Sequence, residues 1–171
     1  MMRKKDRLIS TVFRAGFFAL VLFLFTSAVY GQEPPPRPLE ITPTQQLSFG
    51  VFTLAGAGGT VIIYSNGTRG ASGSVIPLSL NPVHSTARFE LVANPGTIIS
   101  LLGWPSSTLT NGTQTMSFTI DSTLPVLPYV INTVPPNGTT LDIGGTLNVG
   151  SILANPAGSY NGTFNITFVQ E

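Results

Sequence analysis

From residue 39 to the C-terminus, large apolar residues return at every second position in short runs, and small or polar residues fill the gaps. Leu39, Ile41, Leu47 and Phe49 share one parity. Ala87, Phe89, Leu91 and Ala93 alternate with Arg88, Glu90 and Val92, and Met116, Phe118 and Ile120 repeat the rhythm. Leu141, Ile143, Leu147 and Val149 share parity around Gly144-Gly145, read as a kink or bulge. Phe164, Ile166 and Phe168 alternate with Asn165 and Thr167 near the end. A period of two places alternate side chains on opposite faces of a strand, so each run predicts a strand with one apolar face. Residues 60–64, 74–80 and 97–102 complete the set, and residues 106–110 are short and polar. Small residues at 55–59 read as a turn, Asn66-Gly67 and Asn111-Gly112 as hairpin turns, and Asn155-Pro156-Ala157-Gly158 as the turn into the last strand.

No stretch after residue 31 carries a convincing 3.6 period, and no internal repeat is evident. About eight to ten short strands with turn signals every 8–12 residues imply an all-β protein, an Ig-like antiparallel β-sandwich over residues 39–171. The first strand has two uses. Residues 39–49 either pair within their own domain or leave it to fill a groove in a neighbour, where a donated strand adds backbone hydrogen bonds and seats alternate apolar side chains in pockets. Pro43 weakens either ladder, because it has no N–H to donate.

The N-terminus follows a different pattern. Arg3, Lys4, Lys5, Arg7 and Arg14 surround an apolar run at 15–25, and small residues follow up to Gly31. That is the layout of a cleavable signal peptide over residues 1–31, with cleavage after Gly31 or after Ala28. The apolar run is shorter than the ~20 residues a membrane-spanning helix needs. Pro34-Pro35-Pro36-Arg37-Pro38 then gives residues 32–38 the character of an extended, stiff leader. The expected product is secreted to the periplasm or the bacterial cell surface, without a membrane anchor after cleavage.

Removing the signal reverses the charge. Arg37, Arg69 and Arg88 remain against Glu33, Glu40, Glu90, Asp121, Asp142 and Glu171, a net charge of −3 with no lysine. A nucleic-acid partner, which calls for a basic stripe, is therefore not expected. The chain has no cysteine, so disulfides and cysteine-type zinc sites are excluded.

Candidate chemistry is sparse. His84 is the only histidine, and a hydrolytic triad would need it to meet Asp121 or Asp142 and a serine. No serine sits in a Gly-x-Ser-x-Gly elbow. Glu90 and Asp121 are the one carboxylate pair weighed for glycoside hydrolysis. No metal-ligand spacing is present, and neither a metal nor a cofactor is expected. Gly56-Ala57-Gly58-Gly59-Thr60 lacks the lysine and the following helix of a phosphate loop. Trp104, beside Pro105, is read first as a core residue and second as a stacking platform for a sugar. Asn-Gly-Thr occurs at Asn66, Asn111, Asn137 and Asn161, and turn chemistry accounts for it. Asp121-Ser122-Thr123 resembles a short O-glycosylation signal of some secreted bacterial proteins.

Four segments in order carry a family resemblance: Gln46-Leu47-Ser48-Phe49-Gly50, the glycine-rich approach to Thr60-Val61-Ile62-Ile63, Gly144-Gly145-Thr146-Leu147-Asn148-Val149, and Pro156-Ala157-Gly158-Ser159-Tyr160-Asn161-Gly162-Thr163-Phe164. Together they resemble the secreted bacterial domain of unknown function 4402, a family without an assigned activity. In outline that family is similar to chaperone–usher pilins and spore-coat U proteins, which share a Gly-x-Tyr segment before an alternating terminal strand. Here Gly158 and Tyr160 take those places, while Gln170 stands where pilins carry an aromatic residue and the pilin disulfide is missing. The resemblance implies a non-enzymatic assembly subunit of a fimbria or cell surface. Leu39, Ile41, Leu47, Phe49, Gly158, Tyr160, Phe164, Ile166 and Phe168 would then be its strand-pairing residues. Its partners would be further copies or homologous subunits, and a periplasmic chaperone is a further candidate. A monomeric module binding carbohydrate or a surface polymer, through Trp104, is the alternative.

Overall fold

A computed structural model describes residues 37–171. The expected signal peptide and most of the proline leader lie outside the described residues. Among those described there is no helix, and hence none long and apolar enough to cross a membrane. Ten strands form: β1 (Glu40–Gln45), β2 (Phe52–Ile63), β3 (Arg69–Pro77), β4 (Ala87–Val92), β5 (Ile98–Leu101), β6 (Ser106–Thr110), β7 (Thr115–Leu124), β8 (Tyr129–Val130), β9 (Thr139–Val149) and β10 (Phe168–Gln170). They build two antiparallel sheets in a sandwich-like arrangement, as the alternation predicts.

The long strand β9 organises the larger sheet. Its first half, from Thr139 to Ile143, pairs with β4, and its second half, from Gly145 to Val149, pairs with β2. The handover between these neighbours falls at Gly144-Gly145. A side chain at Gly144 would strike the Ile63 carbonyl, and one at Gly145 would meet the Thr119 carbonyl. The glycines therefore let three strands converge, and β9 runs through them unbroken. The irregularity sits opposite, in β7, where the register on β9 shifts between Ile120 and Ser122. That bulge changes which parity faces inward: Met116, Phe118 and Ile120 are buried before it and Thr123 after it. β1 flanks β4, β3 flanks β2, and β6 flanks β7. The smaller sheet has the order β10-β5-β8.

The inward positions read from the sequence form the core. Leu141, Ile143, Leu147 and Val149 of β9 meet Val61 and Ile63 of β2, Ala87 and Leu91 of β4, and Ile99 of β5. Phe118 holds the centre of one end, edge-on to Phe49 at 6.0 Å and to Phe164 at 5.7 Å between ring centroids. Edge-to-face pairs of this kind add about 0.5–1.5 kcal/mol each beyond the area they bury.

Three expectations change. Residues 55–59 are not a turn. They lie inside β2, where the pairing with β3 slips between Leu54 and Gly59. A side chain at Gly59 would collide with the Ser72 carbonyl, and Gly58, at φ +104°, lies against Val149 and Gly150. Small residues serve close strand approach here, which composition alone cannot tell from chain reversal. The expected strand at 74–80 instead spans Arg69–Pro77, starting soon after the hairpin at Asn66-Gly67, whose Gly67 has φ +85°. The closing strand is also shorter than its alternation suggests. Only Phe168–Gln170 forms a ladder, antiparallel to β5. Upstream, Asn161 pairs with Thr110, and between these contacts the Thr163 carbonyl accepts from the Ser107 hydroxyl and the Thr167 carbonyl from the Leu102 N–H. Phe164, Ile166 and Phe168 pack against the core, so the inward face is as expected although the ladder is not.

In the single chain, residues 40–45 pair within their own domain. β1 lies antiparallel to β4 with Glu40 opposite Val92 and Ile41 opposite Leu91, and a register shift follows Pro43. Gln170 closes the gap from this strand to the smaller sheet. Its side-chain Oε1 accepts a bond from the Leu39 N–H at 3.0 Å, and its Nε2 donates to the Arg37 carbonyl at 3.4 Å. The amide acts as one more peptide group between two strands. Phe89 and Phe168 pack edge-to-face just inside it, at 5.8 Å.

Candidate functional site

The other end of the seam between the first strand and the C-terminal segment is open. A groove of about 1110 Å³ runs between residues 45–54 on one lip and residues 152–164 on the other. Leu109, Met116, Phe118, Leu147 and Phe164 form its apolar floor. Each lip pairs with a different neighbour. Ser48 and Ser85 exchange two backbone hydrogen bonds of 2.9 Å, and Asn161 and Thr110 exchange two of 2.8 and 2.9 Å. Among the described residues no backbone hydrogen bond crosses from lip to lip. In an antiparallel pair, residues next to a hydrogen-bonded one direct their N–H and C=O to the other edge. Leu47 on one lip, and Tyr160 and Gly162 on the other, take those alternate positions.

Local chemistry holds each lip in place. Arg69 of β3 reaches over the first lip, donating from Nη1 to the Phe49 and Val51 carbonyls and from Nη2 to the Leu78 carbonyl, at 2.9–3.3 Å. Gly50, at φ +71°, lies directly beneath this guanidinium, where a side chain would collide with it. Asn155 pins the second lip: it is buried, its Oδ1 accepts from the Gly150 N–H at 2.6 Å, and its Nδ2 donates to the Thr115 carbonyl at 2.9 Å. The Tyr160 hydroxyl donates to the Pro156 carbonyl at 3.0 Å. At Gly162 a side chain would strike the Thr108 carbonyl, so glycine lets this lip lie close to β6. Among the described residues no Asp, Glu, Arg, Lys or His lines the groove; its rim is amides, hydroxyls and backbone.

Residues 39–169 match the family described as a domain of unknown function, DUF4402. The chain belongs to this family. No curated protein and no solved structure matches it. The DUF4402 segment holds both lips and the whole floor of the groove.

Within the DUF4402 domain the sequence-derived site residues divide between the two edges. Leu47, Phe49, Gly158, Tyr160 and Phe164 line the groove. Leu39, Ile41 and Phe168 lie at the closed edge, half-buried against the core, where Leu39 and Ile41 flank β4 and Phe168 meets Phe89. Ile166 is half-buried between the two groups. Sequence reasoning missed Arg69, Asn155 and the floor residues Leu109 and Leu147 as parts of one site. Only the Asn155-Pro156 turn and the lone arginine in a Gly-Ala-Ser segment hinted at the first two.

The remaining candidates do not converge. Asp121 accepts from the Thr146 hydroxyl, and Asp142 is held by Thr86 and by Arg88 Nε at 2.8 Å. The hydrogen bond and charge of Asp142 hold the Arg88 guanidinium above its ordinary pKa. Neither carboxylate reaches His84, which lies beside Gly50 and Arg69. Glu90 and Asp121 stand on β4 and β7, which flank opposite sides of β9. Among the described residues no three acidic or histidine side chains cluster to hold a metal. Asp121-Ser122-Thr123 lies within β7, with Thr123 and the Ser122 hydroxyl buried, so the resemblance to a modification signal falls on closed positions. Trp104 is not core: it is 54% exposed and lies outside the groove lining. The loop Gly103-Trp104-Pro105 ends β5 before the chain turns into the sandwich, so the indole has nothing to pack under.

Proposed function

We propose that the protein is an exported structural subunit that assembles on a fimbria or cell surface by accepting an extended strand of another chain in its groove. The supporting observation is a long, apolar-floored, uncharged groove between two lips that are not paired with each other. An inserted strand would find backbone partners on its edges and pockets for alternate side chains below, which is how strand addition gains affinity and selectivity. The outline similarity to pilins and the signal-like N-terminus point the same way.

The test is to fill the groove without touching its floor. Ala157 is exposed on the second lip, so Ala157→Trp should leave melting unchanged while removing heat- or detergent-resistant ladders from gels of surface extracts. Ladders that survive the substitution would refute the reading. Export is tested separately by sequencing the mature N-terminus, with cleavage after Gly31 or Ala28 expected.

Exposure of Trp104 favours one second reading, a carbohydrate-binding module. It predicts a monomer whose glycan binding is lost in Trp104→Ala, with assembly unaffected by Ala157→Trp.

A further inference from the structure

We infer that the strand taken up by the groove comes from a different polypeptide, as an uncharged, proline-free segment, and not from the leader of a second copy of this chain. The inference rests on the strand-accepting reading and narrows its partner.

The groove sets the first condition. Among the described residues its lining contains no charged side chain, and the Arg69 guanidinium at the first lip is already engaged by three carbonyls, so a carboxylate or ammonium pressed onto the Met116, Phe118 and Leu147 floor would lose its water and gain no free counter-charge. The rim offers amides and hydroxyls from Gln45, Gln46, Asn81 and Ser159, which suit peptide groups and neutral polar side chains. The first lip runs from Gln45 to Phe49 before the chain turns at Gly50, so a partner strand must span at least about 16 Å at ~3.3 Å per residue.

This chain's own ends do not meet those conditions. Residues 32–45 hold prolines at 34, 35, 36, 38 and 43, each lacking the N–H that a ladder needs. They also carry Glu33, Arg37 and Glu40. The longest proline-free piece, residues 39–42, carries Glu40, is shorter than the lip and is already paired with β4. The C-terminal residues are engaged too, by β5 through Phe168–Gln170. Neither residues 32–45 nor the C-terminal residues therefore offer the strand that the groove would accept.

Three peptides and one glycan test the inference against purified protein. The first is an end-capped nine-residue strand alternating Thr with Val, Phe, Ile and Val. The second carries Glu and Lys in place of the central Phe and Ile. The third reproduces residues 32–45, and maltoheptaose represents neutral glycans. The readouts are binding by calorimetry and amide hydrogen exchange at Leu47, Tyr160 and Gly162. The neutral strand should bind and protect these amides. The charged strand should bind about 100-fold more weakly, and the leader peptide should give neither binding nor protection. Leader binding within tenfold of the neutral strand, or equal binding of the charged strand, overturns the inference and leaves strand acceptance intact. If none of the peptides protects the lips, strand acceptance itself fails and the inference falls with it. Amide protection by maltoheptaose would do the same, and would make the groove a glycan site.

Discussion

The seam between the first strand and the C-terminal segment has two edges, one at each end, that are made of similar material and finish differently. At one, β1 lies on β4, the Gln170 amide spans to the leader backbone, and Phe89 meets Phe168 beneath. At the other, residues 45–54 and 152–164 stand apart over an apolar floor. Both edges carry alternating apolar residues and turn-forming glycines. What separates them is backbone pairing: one edge has a strand or its side-chain substitute at every place, and the other lacks one strand's width. An unpaired sheet edge over exposed apolar surface readily takes up another chain, and natural proteins usually protect it with charge, proline or a bulge. The closed edge has such protection in Pro43 and the register shift behind it, while the open edge has only the Arg69 guanidinium, which is engaged by the first lip's own carbonyls.

The comparison can be broken most forcefully at Phe118, which belongs to both the core and the groove floor. Phe118→Ala loses its contacts with Phe49 and Phe164 and should cost about 3–5 kcal/mol in denaturant unfolding. A loss below about 1 kcal/mol would mean that the floor is not continuous with the core. Arg69→Met comes next. It frees three carbonyl groups that can turn to water, so about 1–2 kcal/mol is expected, with faster amide exchange confined to the first lip. Exchange spread evenly over the domain would show that Arg69 supports the fold and not the lip. Gln170→Ala should cost about 0.5–1.5 kcal/mol and expose the Leu39 amide, with no change at the groove. Altered assembly in that variant would show that the edges communicate. Ala157→Trp is expected to change stability by less than about 0.5 kcal/mol and to act on assembly alone.

Much of the core was legible because burial in a sheet imposes a period of two that survives in the sequence. Leu141, Ile143, Leu147 and Val149 were placed inward correctly across two glycines, and Phe164, Ile166 and Phe168 faced the core even where their ladder was missing. The misreadings share one cause. Small residues at 55–59 serve equally for a turn and for close strand contact, and only the neighbouring Ser72 and Val149 backbones decide between them. Trp104 went astray for the same kind of reason, since an indole at a strand end is buried only if another segment passes over it.

The groove was less legible than the core. Leu47, Phe49, Tyr160 and Phe164 were identified, but as members of strands and not as facing walls. Their distance across the gap depends on where β1 and the C-terminal segment find partners, and hydrogen bonding between remote segments leaves no periodic trace in either one. The sequence by itself therefore determined an all-β chain, its inward-facing side chains and its tight turns, because these follow from local sterics and from the alternation that one buried face requires. The tertiary structure decided which edge is closed and which is open. That outcome depends on pairing between segments more than a hundred residues apart, as between Leu39 and Gln170, and on a strand's width of space that no single residue encodes.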